Sequence, residues 1–127
     1  EFTYIGNIDK KFTFKNTKVI TPLSGFELAN EIKEHDIYVT GSLNEPSGNH
    51  HIEAALCGLP VLYINSGGIP EYVENHGVEV TLENFEERLE YLIEYYGQFE
   101  KKMKSYPYNS TTMCEKYERL FNKVLNQ

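Results

Sequence analysis

Asp36-Ile37-Tyr38-Val39-Thr40, the turn-rich run Ser42 to Gly48, the segment Asn49 to Gly58, and Pro60-Val61-Leu62-Tyr63-Ile64 read in order as strand, loop, helix and strand. The two outer runs are short, largely apolar and rich in β-branched and aromatic residues, as strands covered on both faces should be. Between them Ile52, Ala55 and Leu56 fall on one side of a helix, and Gly58 is placed to end it. A unit of this kind repeated along a chain makes a parallel sheet, so the fold class is α/β.

Working outward, further strands are expected at 2–6, 18–21 and 77–80. Ser24-Gly25-Phe26-Glu27 has the spacing of a capping box and opens a helix carrying Leu28, Ala29 and Ile32, which stops near His35. After the fourth strand, Asn65-Ser66-Gly67-Gly68 is a flexible turn and Pro70 suits the first turn of a short helix. Phe85, Leu89, Leu92, Ile93, Tyr96, Phe99 and Met103 recur at helical spacing, as do Met113, Tyr117, Leu120, Phe121, Val124 and Leu125. Both stripes are read as core-facing. The tyrosines Tyr91, Tyr95 and Tyr96 fit packing as well as a partner surface. Lys10 to Lys18 reads as a basic, solvated connection. The architecture expected is a Rossmann-like three-layer parallel sheet with helices on both faces.

The 127 residues suffice for one domain with a real core. Nineteen acidic against 12 basic side chains give a net charge of −7, and no basic cluster tracks a phosphate backbone, so nucleic acid is not an expected partner. No apolar run approaches the ~20 residues of a membrane helix. Cys57 and Cys114 are far apart and read as reduced, mostly buried thiols of a cytoplasmic protein. Asn109-Ser110-Thr111 matches a glycosylation sequon but reads as a helix-capping turn.

The chemistry concentrates at Glu45-Pro46-Ser47-Gly48-Asn49-His50-His51-Ile52-Glu53. Gly48 lets a ligand approach the backbone closely, and the residues after it present free N–H groups at a helix start, where anions are favoured. Glu45 precedes that helix and Glu53 lies inside it. Carboxylates accept hydrogen bonds in pairs, which suits the vicinal hydroxyls of a sugar or ribose. A Glu at each position also has a plain structural explanation, and the spacing by itself leaves both readings open.

The segment Glu45-x7-Glu53, followed by Ala54-Ala55-Leu56-Cys57-Gly58-Leu59-Pro60-Val61 and then Gly67-Gly68-Ile69-Pro70-Glu71, resembles the signature region of retaining glycosyltransferases of family 4, which have the GT-B fold. Upstream, Val19-Ile20-Thr21-Pro22-Leu23-Ser24, Glu27-Leu28-Ala29 and Asp36-Ile37-Tyr38-Val39 are similar to the same family in the same order, and the last helix is similar to its C-terminal helix. The resemblance covers essentially the whole chain.

It implies a partial C-terminal nucleotide-sugar-binding domain over 1–127, with the first strand-helix unit, its Arg/Lys pair and the N-terminal acceptor domain lying outside. It implies Glu45 beside the reacting centre as the catalytic carboxylate, with front-face attack within an ion pair rather than a covalent intermediate. Glu53 falls at the ribose, Ser47, Gly48, Asn49 and His50 at the sugar and distal phosphate, and Pro22 and Leu23 at the base. The donor implied is a nucleotide sugar, UDP-linked sugars being favoured, with no cofactor and no metal. The acceptor is a glycan or lipid held by the absent domain, in polysaccharide or glycoconjugate synthesis. The location implied is cytoplasmic, or peripheral at the inner membrane through that domain, and the fragment alone is expected to be inactive.

His50 and His51 stand where the family has small or apolar residues and are expected at the surface. His35 and His76 are read as helix-end residues that welcome partial positive charge. Two other functional classes fit the sequence: a GT-B-fold sugar-nucleotide epimerase, and a non-catalytic interaction module derived from a transferase half.

Overall fold

Val61, Leu62 and Tyr63 form strand β4, whose three residues are all buried, and the rest of the domain is arranged around it. A computed structural model describes residues 1–126 of the chain. Strands β3 (Tyr38–Thr40) and β5 (Gly77–Glu79) pair with β4 on its two sides, all parallel, with Tyr38 opposite Val61 and Val61 opposite Gly77. Strand periodicity then sends Leu62 to one face and its neighbours to the other. Leu62 packs with Val78, Val80, Leu92 and Phe99, beneath helices α4 (Phe85–Glu94) and α5 (Tyr96–Met103). Val61 and Tyr63 meet Ile69 and Val73 of the short helix α3 (Ile69–Val73). Beside them α1 (Gly25–Lys33) and α2 (His50–Leu56) pack through Ile32, Ala54 and Leu59.

Helices on both faces of parallel strands make the chain a Rossmann-like α/β domain, as the sequence pattern required. Each expected strand is present within two residues of its expected bounds. Gly58 ends α2 at φ 97, in the left-handed region that glycine tolerates. The strands form two ladders rather than one: β1 (Phe2–Ile5) pairs in parallel with β2 (Thr17–Ile20), while β3, β4 and β5 form the second. A cavity of about 850 Å³ lies between the β1 and β3 ends of these ladders.

Several local expectations are corrected. Ser24 sits at the N-cap of α1 with extended backbone, yet makes no side-chain cap, because Gly25 follows at φ 55 and the regular turn a capping box spans is interrupted. The apolar periodicity from Phe85 to Met103 belongs to two helices that part at Tyr95, which leaves helical geometry at φ −100 and ψ 16 and lets Leu92 and Phe99 both reach the sheet. Helix α6 (Ser110–Leu125) is capped by Asn109, whose Oδ1 accepts the Thr112 amide at 3.0 Å, so the sequon triplet does open a capping turn. Its stripe is not core: Met113, Tyr117, Leu120, Phe121, Val124 and Leu125 are each more than half exposed. Periodicity reports that a helix has an apolar side, not what covers it. Cys57 is half-buried with Sγ 3.8 Å from the Ala29 carbonyl, and Cys114 is exposed on α6.

The burial contrast predicts a stability contrast. Leu62→Ala is expected to cost about 2–5 kcal/mol by urea denaturation, from lost transfer energy and the void left in a fully enclosed site. Leu120→Ala on exposed α6 should stay within about 0.5 kcal/mol of the parent.

Candidate functional site

The loop 41–49 leaves β3 at Thr40, whose Oγ1 accepts the Ser42 amide at 3.3 Å. Its path is fixed from the neighbouring β4–α3 turn. The Asn44 amide donates to Ser66 Oγ at 2.8 Å, and the Gly68 amide donates to the Glu45 carbonyl, also at 2.8 Å. Gly67 takes φ 63, and a Cβ there would overlap the Glu45 backbone; one on Gly68 would overlap the Pro46 carbonyl. The two glycines therefore let one loop lie directly on the backbone of another. Two motifs more than 20 residues apart in sequence are thereby one structural unit.

On this support Glu45 is half-buried, with its side chain folded against Gly48, where a Cβ would stand 2.9 Å from the glutamate Cγ and Cδ. Asn49 precedes α2 without a side-chain cap, and its carbonyl accepts the Glu53 amide at 2.8 Å. Glu53 is exposed one turn into α2. Together with His50, Pro22 and Leu23 it lines the cavity between the ladders. Ser47 and Asn49 are exposed on the loop itself and, like Glu45 and Gly48, lie beside that cavity rather than in its wall.

The histidines depart from expectation. His51 is fully buried, and His50 is half-buried with its Nε2 enclosed. The periodicity of α2 explains this: His51 shares the helix's inner side with Ala54 and Ala55. Its ring meets His50 edge-on at 4.9 Å and lies 5.6 Å from Tyr72, and neither of its nitrogens has a protein hydrogen-bond partner. Burial, reinforced by His50, pushes the His51 pKa down, and the nearby Glu45 carboxylate only partly opposes this. His50 Nδ1 sits 3.0 Å from the Tyr38 hydroxyl. Burial and Glu53 push that phenol up to about 12, so at neutral pH it is a proton-bearing group able to donate to His50. His76 is also corrected: it stacks edge-on against Tyr106 at 5.0 Å, and burial lowers its pKa rather than favouring positive charge.

Sequence reasoning missed Tyr38, which looked like strand filler, and Ser66, which looked like a generic turn residue. Neither carries a local signal, because their roles come from contacts 12 and 22 residues away.

The model of the family described as glycosyl transferases group 1 matches residues 2–110, most of the chain. The chain belongs to this family. No curated protein and no solved structure matches the glycosyltransferase domain. No helix among its described residues is long and apolar enough to cross a membrane.

Two outcomes follow for this domain. Gly67→Ala forces a side chain into the left-handed region and onto the Glu45 backbone, and should lower stability by roughly 1–3 kcal/mol in denaturant unfolding. His51 and His76 both have folded pKa values below the usual 6.5, so the unfolded chain takes up their protons first as pH falls. The stability they contribute is complete above about pH 6.5 and declines progressively below it. His51→Phe, which fills the same apolar site without titrating, should flatten the stability profile between pH 6.5 and 5; an unchanged slope would place the titration elsewhere.

Proposed function

We propose that this glycosyltransferase domain binds a nucleotide-diphosphate sugar, UDP-linked sugars being favoured, and serves transfer with retention to an acceptor hydroxyl, as in the family 4 enzymes it resembles. What supports the reading is the placement of two carboxylates: Glu45 held by backbone pairing against Gly67-Gly68, and Glu53 on the wall of a cavity shared with Pro22 and Leu23. Glu53 takes the ribose hydroxyls, the Pro22-Leu23 turn borders the base, and Glu45 meets the sugar. Ser47, Gly48, Asn49 and His50 supply the contacts between them. Carboxylate oxygens accept several hydrogen bonds each, and charged acceptors are about twice as strong as neutral ones.

In the reaction, the bond from the anomeric carbon to the diphosphate oxygen breaks with its electron pair leaving on the diphosphate. The acceptor oxygen bonds to that carbon on the same face, and its proton passes to the departing phosphate oxygen. Glu45 stabilises positive charge developing on the sugar ring and orients its hydroxyls. Donor contacts held in fixed geometry are the domain's contribution to the rate.

The test is titration of the purified chain with UDP and with a UDP-hexose, followed by amide NMR. Glu53→Gln should weaken both ligands by about tenfold, near 1.4 kcal/mol. Glu45→Gln should leave UDP affinity unchanged and remove the added affinity of the hexose. Shifts absent from residues 45–53 with every donor would overturn the assignment.

A further inference from the structure

Tyr38 on β3 and His50 on α2 both line the cavity, and their polar atoms meet, with the phenol oxygen 3.0 Å from the imidazole Nδ1. Either side can donate in such a contact, and the surroundings decide which one does. A phenol pushed up to about 12 by burial and by Glu53 keeps its proton, and a neutral imidazole has one donor and one acceptor nitrogen. His50 Nε2 is enclosed and has no hydrogen-bond partner among the described residues. If Nδ1 donated, the phenol proton and the Nε2 lone pair would both go without a partner. With Tyr38 donating to Nδ1, only the Nε2 N–H does. Each unsatisfied group in a buried setting costs about 1–3 kcal/mol, so the second arrangement wins. Tyr38 thereby fixes the His50 tautomer and leaves a donor at Nε2.

That edge of the ring lies against Gly48. The point where a Cβ on Gly48 would stand is 2.9 Å from His50 Cδ2, the ring carbon bonded to Nε2, and also 2.9 Å from Glu45 Cδ. Two atoms that close to one point are at most about 6 Å from each other. A single oxygen joining a nitrogen to a carboxylate by two hydrogen bonds of ~2.8 Å spans nearly the same distance. The Glu45 side chain is folded over Gly48, and rotation about its own single bonds uncovers the ring edge. Between them the two groups specify a partner, because the imidazole N–H only donates and the carboxylate only accepts. A phosphate oxygen satisfies the imidazole alone, an ammonium the carboxylate alone, and a methylene neither. A hydroxyl satisfies both. We propose that Tyr38 and His50 determine specificity for the donor sugar, His50 Nε2–H and the Glu45 carboxylate together holding one free sugar hydroxyl. This rests on the donor reading of Glu45 given above. His50 touches the sugar, and Tyr38 is a positioning residue that acts through it. The consequence is selection of a sugar bearing that hydroxyl over its deoxy analogue.

The test uses the 13C,15N-labelled chain at pH 8, above the ordinary range of imidazole titration. The ligands are UDP, whichever of UDP-glucose and UDP-galactose binds more tightly, and the 2-, 3-, 4- and 6-deoxy analogues of that sugar. Imidazole nitrogen shifts should show His50 protonated at Nε2 and bare at Nδ1, and a mixture of tautomers in Tyr38→Phe. One deoxy analogue should bind about tenfold more weakly than the intact sugar, near 1.4 kcal/mol, and in Tyr38→Phe that ratio should fall below about threefold. Taking the ratio within each protein removes any general loss of affinity. His50→Gln, whose amide reaches about as far as Nε2 with no tautomer to set, should keep the ratio, and His50→Asn, whose amide reaches only as far as Nδ1, should lose it. Those two variants carry the test if Tyr38→Phe does not fold. A proton on Nδ1 in the parent, or equal binding of all the deoxy analogues, would overturn the proposal and leave UDP binding at Glu53 standing. Shifts absent from residues 45–53 with every nucleotide would remove the donor reading and this proposal with it.

Discussion

The hydrogen bond from the Gly68 amide to the Glu45 carbonyl, at 2.8 Å, ties the exit of β4 to the loop that leaves β3. It forms only because Gly67 and Gly68 carry no Cβ where the Glu45-Pro46 backbone passes. Loops that follow neighbouring parallel strands emerge at the same end of a sheet, and that end is where doubly wound folds place their ligands. Here the contact converts nearness into register. Glu45 is positioned by backbone geometry, with Ser66 holding Asn44 one residue earlier, so the carboxylate's place does not depend on its own side-chain partners.

That arrangement explains why some parts of the domain were legible in sequence and others were not. β4 was unambiguous because a run buried on both faces must be continuously apolar, and Val61-Leu62-Tyr63 is. The Glu45 and Glu53 positions were legible as a spacing, and Gly67-Gly68 as a turn, but their contact was not, since nothing local records which loop a glycine pair will lie against. His51 was misplaced for a related reason. A histidine next to another on a short helix looks polar and exposed, while the inner side of α2 is decided by Ala54 and Ala55 three and four residues on. The stripe of α6 is the converse case, an apolar pattern as regular as that of α4 whose residues face solvent.

The split of the strands into two ladders likewise had no signature in the sequence. Each strand is short and individually well marked, and pairing order is a property of the space between them. What the geometry adds is a division of labour around one cavity. Its lining is mainly apolar and also includes His50, Glu53 and the Pro22-Leu23 turn. Buried His51 connects the rim to the Tyr72, Tyr108 and Tyr106 rings behind it, so the polar loop rests on a packed aromatic base. Burial of the His51 ring, reinforced by His50, lowers its pKa and so disfavours a positive charge in that base.

If Gly67 matters to ligand binding only through the place it gives Glu45, the two residues must be energetically coupled. The most direct test is a double-mutant cycle on UDP-hexose affinity with Gly67→Ala, Glu45→Gln and the pair, measured where all four proteins are folded. Coupling predicts that Gly67→Ala weakens binding by about tenfold in the parent, near 1.4 kcal/mol, and has no further effect once Glu45 is Gln. Independent, additive losses would contradict the claim that the backbone contact exists to position that carboxylate.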